Sequence, residues 1–95
     1  MNLEELRKFK PQIMELASKY GVSEIKVFGS VARGDADENS DVDLLIDRFE
    51  GTLLTFVYFK EKMEDLLGSK VDLIQIKNVK NPLRKKYMLE DATVL

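Results

Sequence analysis

The chain has 95 residues, which is one domain's worth of core, and its 44% hydrophobic and 34% charged content is that of an ordinary globular protein. With no histidine and no cysteine it cannot build a Ser-His-Asp triad, a thiolate nucleophile, a disulfide framework or the usual zinc cages. A net charge of −2 disfavours non-specific binding of nucleic acid, no apolar run approaches the roughly 20 residues of a membrane span, and "MNLEELRKFK" lacks the apolar centre of a signal peptide. These features predict one domain over residues 1–95, cytoplasmic and off the membrane, whose chemistry comes from carboxylates, hydroxyls, Lys, Arg, backbone donors and hard metal ions.

Leu3, Leu6, Phe9, Ile13, Leu16 and Tyr20 recur at three- and four-residue steps, which predicts an amphipathic helix. Pro11 interrupts it, so a kink or two short helices are expected, with Gly21 as the left-handed terminator. "EIKVF" (24–28) reads as a strand, "SVARG" as one helical turn closed by Gly34, "DADENS" as a polar loop and "DVDLLID" (41–47) as a second strand broken at "RFEG". Thr52 is placed to cap a long helix to Leu67 that turns Leu53, Phe56, Val57, Met63 and Leu67 inward and ends at Gly68. "KVDLIQI" (70–76) is a third strand, Asn81-Pro82 opens a short helix to about Glu90, and "ATVL" is a final short strand. The order predicts an α/β fold, a small mixed sheet packed with helices.

Three aspartates stand out from this frame. Side chains two apart on a strand share a face, so Asp41 and Asp43 aim together while Val42 and Leu44 aim into a core. Two carboxylates so close repel unless a cation lies between them, and Mg²⁺ takes such oxygen ligands together with substrate phosphates. The bland reading is a pair of solvated residues at a strand start. Asp72 interrupts a second apolar strand, where a buried carboxylate without a partner is costly. If the two strands are neighbours, Asp72 joins Asp43, and one cluster accounts for all three positions. Gly29 and Ser30, between a strand and a helical turn, have the makings of a phosphate cradle, with Arg33 one turn on to reach the same anion. Ser40 reads as a brace for the loop.

Gly29-Ser30-x-Ala32-Arg33-Gly34, Ser40-Asp41-x-Asp43-Leu44 and the Asp72 of "VDL" together resemble the signature of the polymerase-β-like nucleotidyltransferases, and most closely the minimal nucleotidyltransferases found with HEPN-domain partners. The likeness runs over nearly the whole chain. It implies the polymerase-β-like fold and transfer of AMP from ATP with two Mg²⁺ ions held by Asp41, Asp43 and Asp72. It also implies that Gly29, Ser30 and Arg33 hold the triphosphate. In this family the small protein acts as an antitoxin, modifying a hydroxyl, commonly of tyrosine, on a HEPN-type toxin. Two other readings stay open: a non-catalytic module that neutralises its partner by occlusion, and transfer to a small-molecule or nucleic-acid hydroxyl. So little chain is left for an acceptor domain that a partner protein is expected to supply that surface. Leu54, Tyr58 and Phe59 and the basic segment from Arg84 to Lys86 are candidate contacts, although singly such residues are more often core or solvated face.

Overall fold

The computed structural model describes residues 1–95. The N-terminal pattern resolves into two helices, α1 (Leu3–Lys8) and α2 (Lys10–Lys19), with Pro11 in the first turn of the second, where its missing N–H costs nothing. Asn2 Oδ1 accepts the Glu5 N–H at 2.8 Å and caps α1. After Gly21 come β1 (Val22–Phe28), the five-residue α3 (Gly29–Arg33), β2 (Val42–Phe49), α4 (Leu53–Leu67) and β3 (Val71–Gln75). A 3₁₀ turn (Ile76–Asn78), α5 (Pro82–Asp91) and the short β4 (Thr93–Val94) complete the chain. Asn81 Oδ1 accepts from the N–H groups of Leu83 and Arg84, so Asn-Pro starts α5 as its sequence requires.

The sheet is mixed, in the order β3-β2-β1-β4, with β2 and β3 parallel and the other pairs antiparallel. Parallel neighbours need a crossover, and α4 supplies it. One face of the sheet carries Ile25, Val27, Val42, Leu44 and Ile46, which cluster with Leu6, Ile13 and Ala17 of α1 and α2 and with Phe59, Met63 and Leu67 of α4. Arg7 ties α1 to the end of β4, donating to the carbonyls of Val94 at 2.9 Å and Leu95 at 3.3 Å.

Both strands at the centre are longer than their sequence suggests. β1 begins at Val22, and β2 runs on through Arg48 to Phe49, because Val22 and Phe49 pair and pack against the core. The register of α4 also differs. Phe59 is fully buried rather than a surface contact, whereas Leu53 and Val57, expected inside, are 79% and 41% exposed. "LLTFVYF" is apolar all round, so its inward stripe (Phe56, Phe59, Met63, Leu67) is chosen by what the sheet presents rather than by its own pattern. Leu54 and Tyr58 are exposed as expected.

Candidate active site

The site lies on the face of the sheet opposite the main core, where β1 ends and β2 and β3 begin. Parallel pairing sets Val42 beside Val71 and Asp43 beside Asp72. The alternation that buries Val42, Leu44 and Val71 therefore turns Asp43 and Asp72 to one common face, as the two apolar runs predict. Val42 N–H donates to the Lys70 carbonyl at 2.9 Å and fixes where the two strands enter. Asp41 precedes the first residue of β2. Asp41 and Asp72 are exposed and Asp43 is half-buried.

Antiparallel pairing brings Phe28 opposite Asp43, which sets Gly29 directly under the Asp43 carboxylate. Gly29 has φ +71°, and a Cβ there would collide with Asp43 Oδ2. Only glycine meets both demands, the left-handed backbone and the close approach. The same turn opens α3, whose N-terminal N–H groups have no side-chain cap, and it places Ser30 in the first turn. The first N–H groups of a helix have no partner within the helix itself.

Electrostatics single out Asp43. Partial burial pushes its pKa above the ordinary value, the neighbouring Asp72 and Asp41 carboxylates push it the same way, and Arg33 opposes them. No side-chain hydrogen bond or ion pair relieves the three carboxylates; the structure's ion pairs are those of Arg33 with Asp35 and with Asp91, each at 3.4 Å. As they stand, no three acidic side chains are drawn together tightly enough to enclose an ion. Asp41 and Asp72 are exposed and free to turn, and the donor set is all oxygen, anionic and uncompensated. Those properties fit a hard divalent cation.

Arg33 stands at the edge of the cluster, but its guanidinium is shared with Asp35 and Asp91 rather than held ready for an anion. Asp91 has no place in the sequence reading. Its signal is an acid in the last turn of α5, where the helix dipole disfavours negative charge and a cationic partner offsets it. Ser40 has the bracing role expected of it: its Oγ accepts from the Asp37 N–H at 3.0 Å and donates to Asp37 Oδ1 at 3.2 Å.

Comparison with known proteins agrees with this geometry. The nucleotidyltransferase domain model matches residues 6–95. Protein adenylyltransferase MntA of Thermococcus cleftensis is 46% identical over 77 residues, 80% of this chain and 78% of the relative. MJ1217 of Methanocaldococcus jannaschii, provisionally named a protein adenylyltransferase, is 45% identical over 89 residues, 93% of this chain and 88% of its own. A solved structure provisionally described as a minimal nucleotidyltransferase superposes with a TM-score of 0.85 at 40% identity, covering 100% of this chain and 97% of the other. A toxin–antitoxin structure containing AMP-PNP shares the fold, with a TM-score of 0.73 at 20% identity over 88% of this chain and 69% of that one. A Gly-Ser turn beneath paired strand aspartates, in a chain matched almost end to end, makes this protein a member of the nucleotidyltransferase family in its minimal form.

Proposed function

We propose that the protein transfers AMP from ATP to a hydroxyl group of a partner protein, a HEPN-type toxin, and so acts as its antitoxin. The observation that carries this reading is the stacking of Gly29 beneath Asp43, with Asp72 in register beside it, which brings a phosphate-accepting turn and a carboxylate cluster together. The relative from Thermococcus cleftensis bears the name protein adenylyltransferase, and this supports a protein acceptor.

Asp41, Asp43 and Asp72 would hold Mg²⁺, two ions in the usual arrangement for this chemistry. When bound, Mg²⁺ neutralises charge on the triphosphate and on the oxygens that attack and leave. The chain's own residues do the rest. Gly29 and the first N–H groups of α3 seat the β- and γ-phosphates, and the Ser30 hydroxyl donates to one of their oxygens. Arg33, released from Asp35 and Asp91, adds forked donors to the same anion. Asp72, an exposed carboxylate, takes the proton from the acceptor hydroxyl, that of a tyrosine in this reading. The acceptor oxygen bonds to the α-phosphorus, the bond from that phosphorus to the bridging oxygen breaks, and pyrophosphate departs. Positioning and charge neutralisation supply most of the acceleration in such transfers.

The test is to mix the protein with ATP, Mg²⁺ and the protein encoded beside it, and to weigh the partner by mass spectrometry. One or more added AMP groups on a tyrosine is the expected result. An unmodified partner that is nevertheless silenced in a stable complex would replace transfer with occlusion.

A further inference from the structure

The two edges of the sheet are finished differently. β4 is two residues long, and the Arg7 guanidinium occupies the carbonyls of Val94 and Leu95 at its end. β3, at the other edge, is five residues long and pairs with β2 alone. Exposed edges are ordinarily blunted by proline, lysine, a bulge or a sharp twist, because an open one recruits further strands. β3 has no proline, its register with β2 is unbroken, and Asp72 is its only charge. The chain's one left-handed residue other than glycine, Glu24 at φ +57°, lies in β1 and not at this edge.

The direction of the hydrogen bonds tells which groups of β3 are open. In a strand, alternate residues turn both backbone groups to the same neighbour. The Lys70 carbonyl accepts from Val42 N–H, so Lys70, Asp72 and Ile74 face β2, and Val71 and Leu73 face outward. Val71 agrees with this parity: its N–H donates away from the sheet, to Glu64 Oε2 of α4 at 3.0 Å. Leu73 has no such cover, since neither a side chain nor a turn takes its N–H or its carbonyl. A donor and an acceptor open on one residue are met by a single residue of an antiparallel strand, which exchanges both bonds with it. A parallel strand would need two residues for the same pair of groups.

We propose that β3 receives an extended segment of the acceptor protein as an added antiparallel strand, with the acceptor tyrosine opposite Asp72. The proposal rests on the transfer reading above and concerns how the hydroxyl is delivered. Continuity with the site favours this occupant over a second copy of the chain, because Asp72 belongs to the open strand itself and stands in register beside Asp43. When one residue of the segment pairs with Leu73, the next falls opposite Asp72 and on the same face. That position is a non-hydrogen-bonded pair, where side chains approach most closely, at a Cα separation of about 4.5 Å. Two strand spacings, about 10 Å, separate it from Asp43. A tyrosine ring crosses most of that distance, whereas a serine hydroxyl stays close to its own backbone. The residue before the Leu73 partner falls opposite Ile74, which is half-buried. The favoured acceptor sequence therefore reads apolar-x-Tyr.

The edge can be tested without turnover. The capped peptide acetyl-Thr-Ile-Thr-Tyr-Thr-amide, added to nitrogen-15-labelled full-length protein, should shift the Leu73 amide resonance. Methylating the backbone nitrogen of the central threonine removes the donor to the Leu73 carbonyl and should weaken that response about 10-fold. Leu73→Pro removes the outward N–H and spares the ladder with β2. It should slow AMP transfer to the partner protein about 10-fold with ATP affinity unchanged. The peptide titration needs no ATP, so a failure of the transfer chemistry is seen separately. An unmoved Leu73 amide, equal binding of the methylated peptide, or wild-type transfer by a folded Leu73→Pro protein would overturn the proposal. So would a dimer in sedimentation that Leu73→Pro dissolves, which would give the edge to a second copy of the chain.

Discussion

On one face of the sheet Val27, Val42, Leu44 and Ile46 are completely buried under α1, α2 and α4. On the other, Asp43 is half-buried, Asp72 is exposed, and the covering helix α5 contributes one buried residue, Met88. The same strands build both faces, and alternation assigns each residue to one or the other. The buried face meets its packing demands in full, with no unpartnered buried polar side chain. The open face keeps like charges together and leaves Glu24 in a strained backbone, both of which lower stability. Neighbouring residues on β2 should therefore answer to opposite tests.

The sharpest break of that contrast is Asp43→Asn against Leu44→Ala. Asp43→Asn should abolish AMP transfer, by a factor on the order of 1,000 or more given the usual worth of a positioned carboxylate, and should leave the melting temperature unchanged or higher. Asp41→Asn should do likewise. Leu44→Ala should cost about 2–5 kcal/mol through lost burial and the cavity left behind, a large share of a small domain's stability. Thermal melts beside single-turnover transfer separate the two. An Asp43→Asn protein that folds correctly and turns over at a wild-type rate would remove the carboxylates from the mechanism.

A second test sharpens the division within the open face. Asp72→Asn should cut the transfer step by roughly 100-fold as base assistance is lost, with ATP binding nearly intact, whereas Asp41→Asn should weaken Mg²⁺-dependent ATP binding as well. A titration of nucleotide run beside single-turnover transfer reads both. Full activity in Asp72→Asn would reduce the cluster to two members. Further out, Ser30→Ala and Arg33→Ala should each weaken ATP binding by about 10-fold, the worth of one hydrogen bond to a charged group, with little change in melting temperature. Asp91→Asn, which frees Arg33 from α5, should alter ATP binding by less than Arg33→Ala does.

Much of the open face was legible in the sequence because its cause is local. A two-residue period decides that Asp41 and Asp43 share a side, and an aspartate inside "VDLIQI" advertises its own cost. Adjacency of Asp43 and Asp72 needed one further condition, that β2 and β3 pair, and the crossover helix between them makes that pairing natural. The features that escaped depend on remote parts of the chain. Arg33 meets Asp91 across 58 positions of sequence. The inward stripe of α4 is set by the sheet, so Phe59 and Val57 exchanged their expected places. Glu24 looks like any strand residue until the core's claim on both Val22 and Ile25 forces the twist between them.

The smallest expected effect concerns pH and tests whether the open face is strained as its charges imply. Burial and the flanking Asp72 and Asp41 raise the Asp43 pKa in the folded protein above its unfolded value. A carboxyl shifted upward binds its proton more tightly when folded, so its favourable contribution is full below the unfolded pKa and is lost as pH rises through the folded one. In the presence of a chelator, then, the melting temperature of the wild type relative to Asp43→Asn should fall as pH climbs from about 3 toward neutrality, because only the wild type acquires the repelling charge. The interval between the two should level off once Asp43 is fully ionised. Adding Mg²⁺ at neutral pH should raise the wild-type melting temperature and leave Asp43→Asn nearly still, closing the interval. An interval independent of pH would mean that Asp43 is solvated well enough to ignore its neighbours, and that the open face is not strained by charge at all.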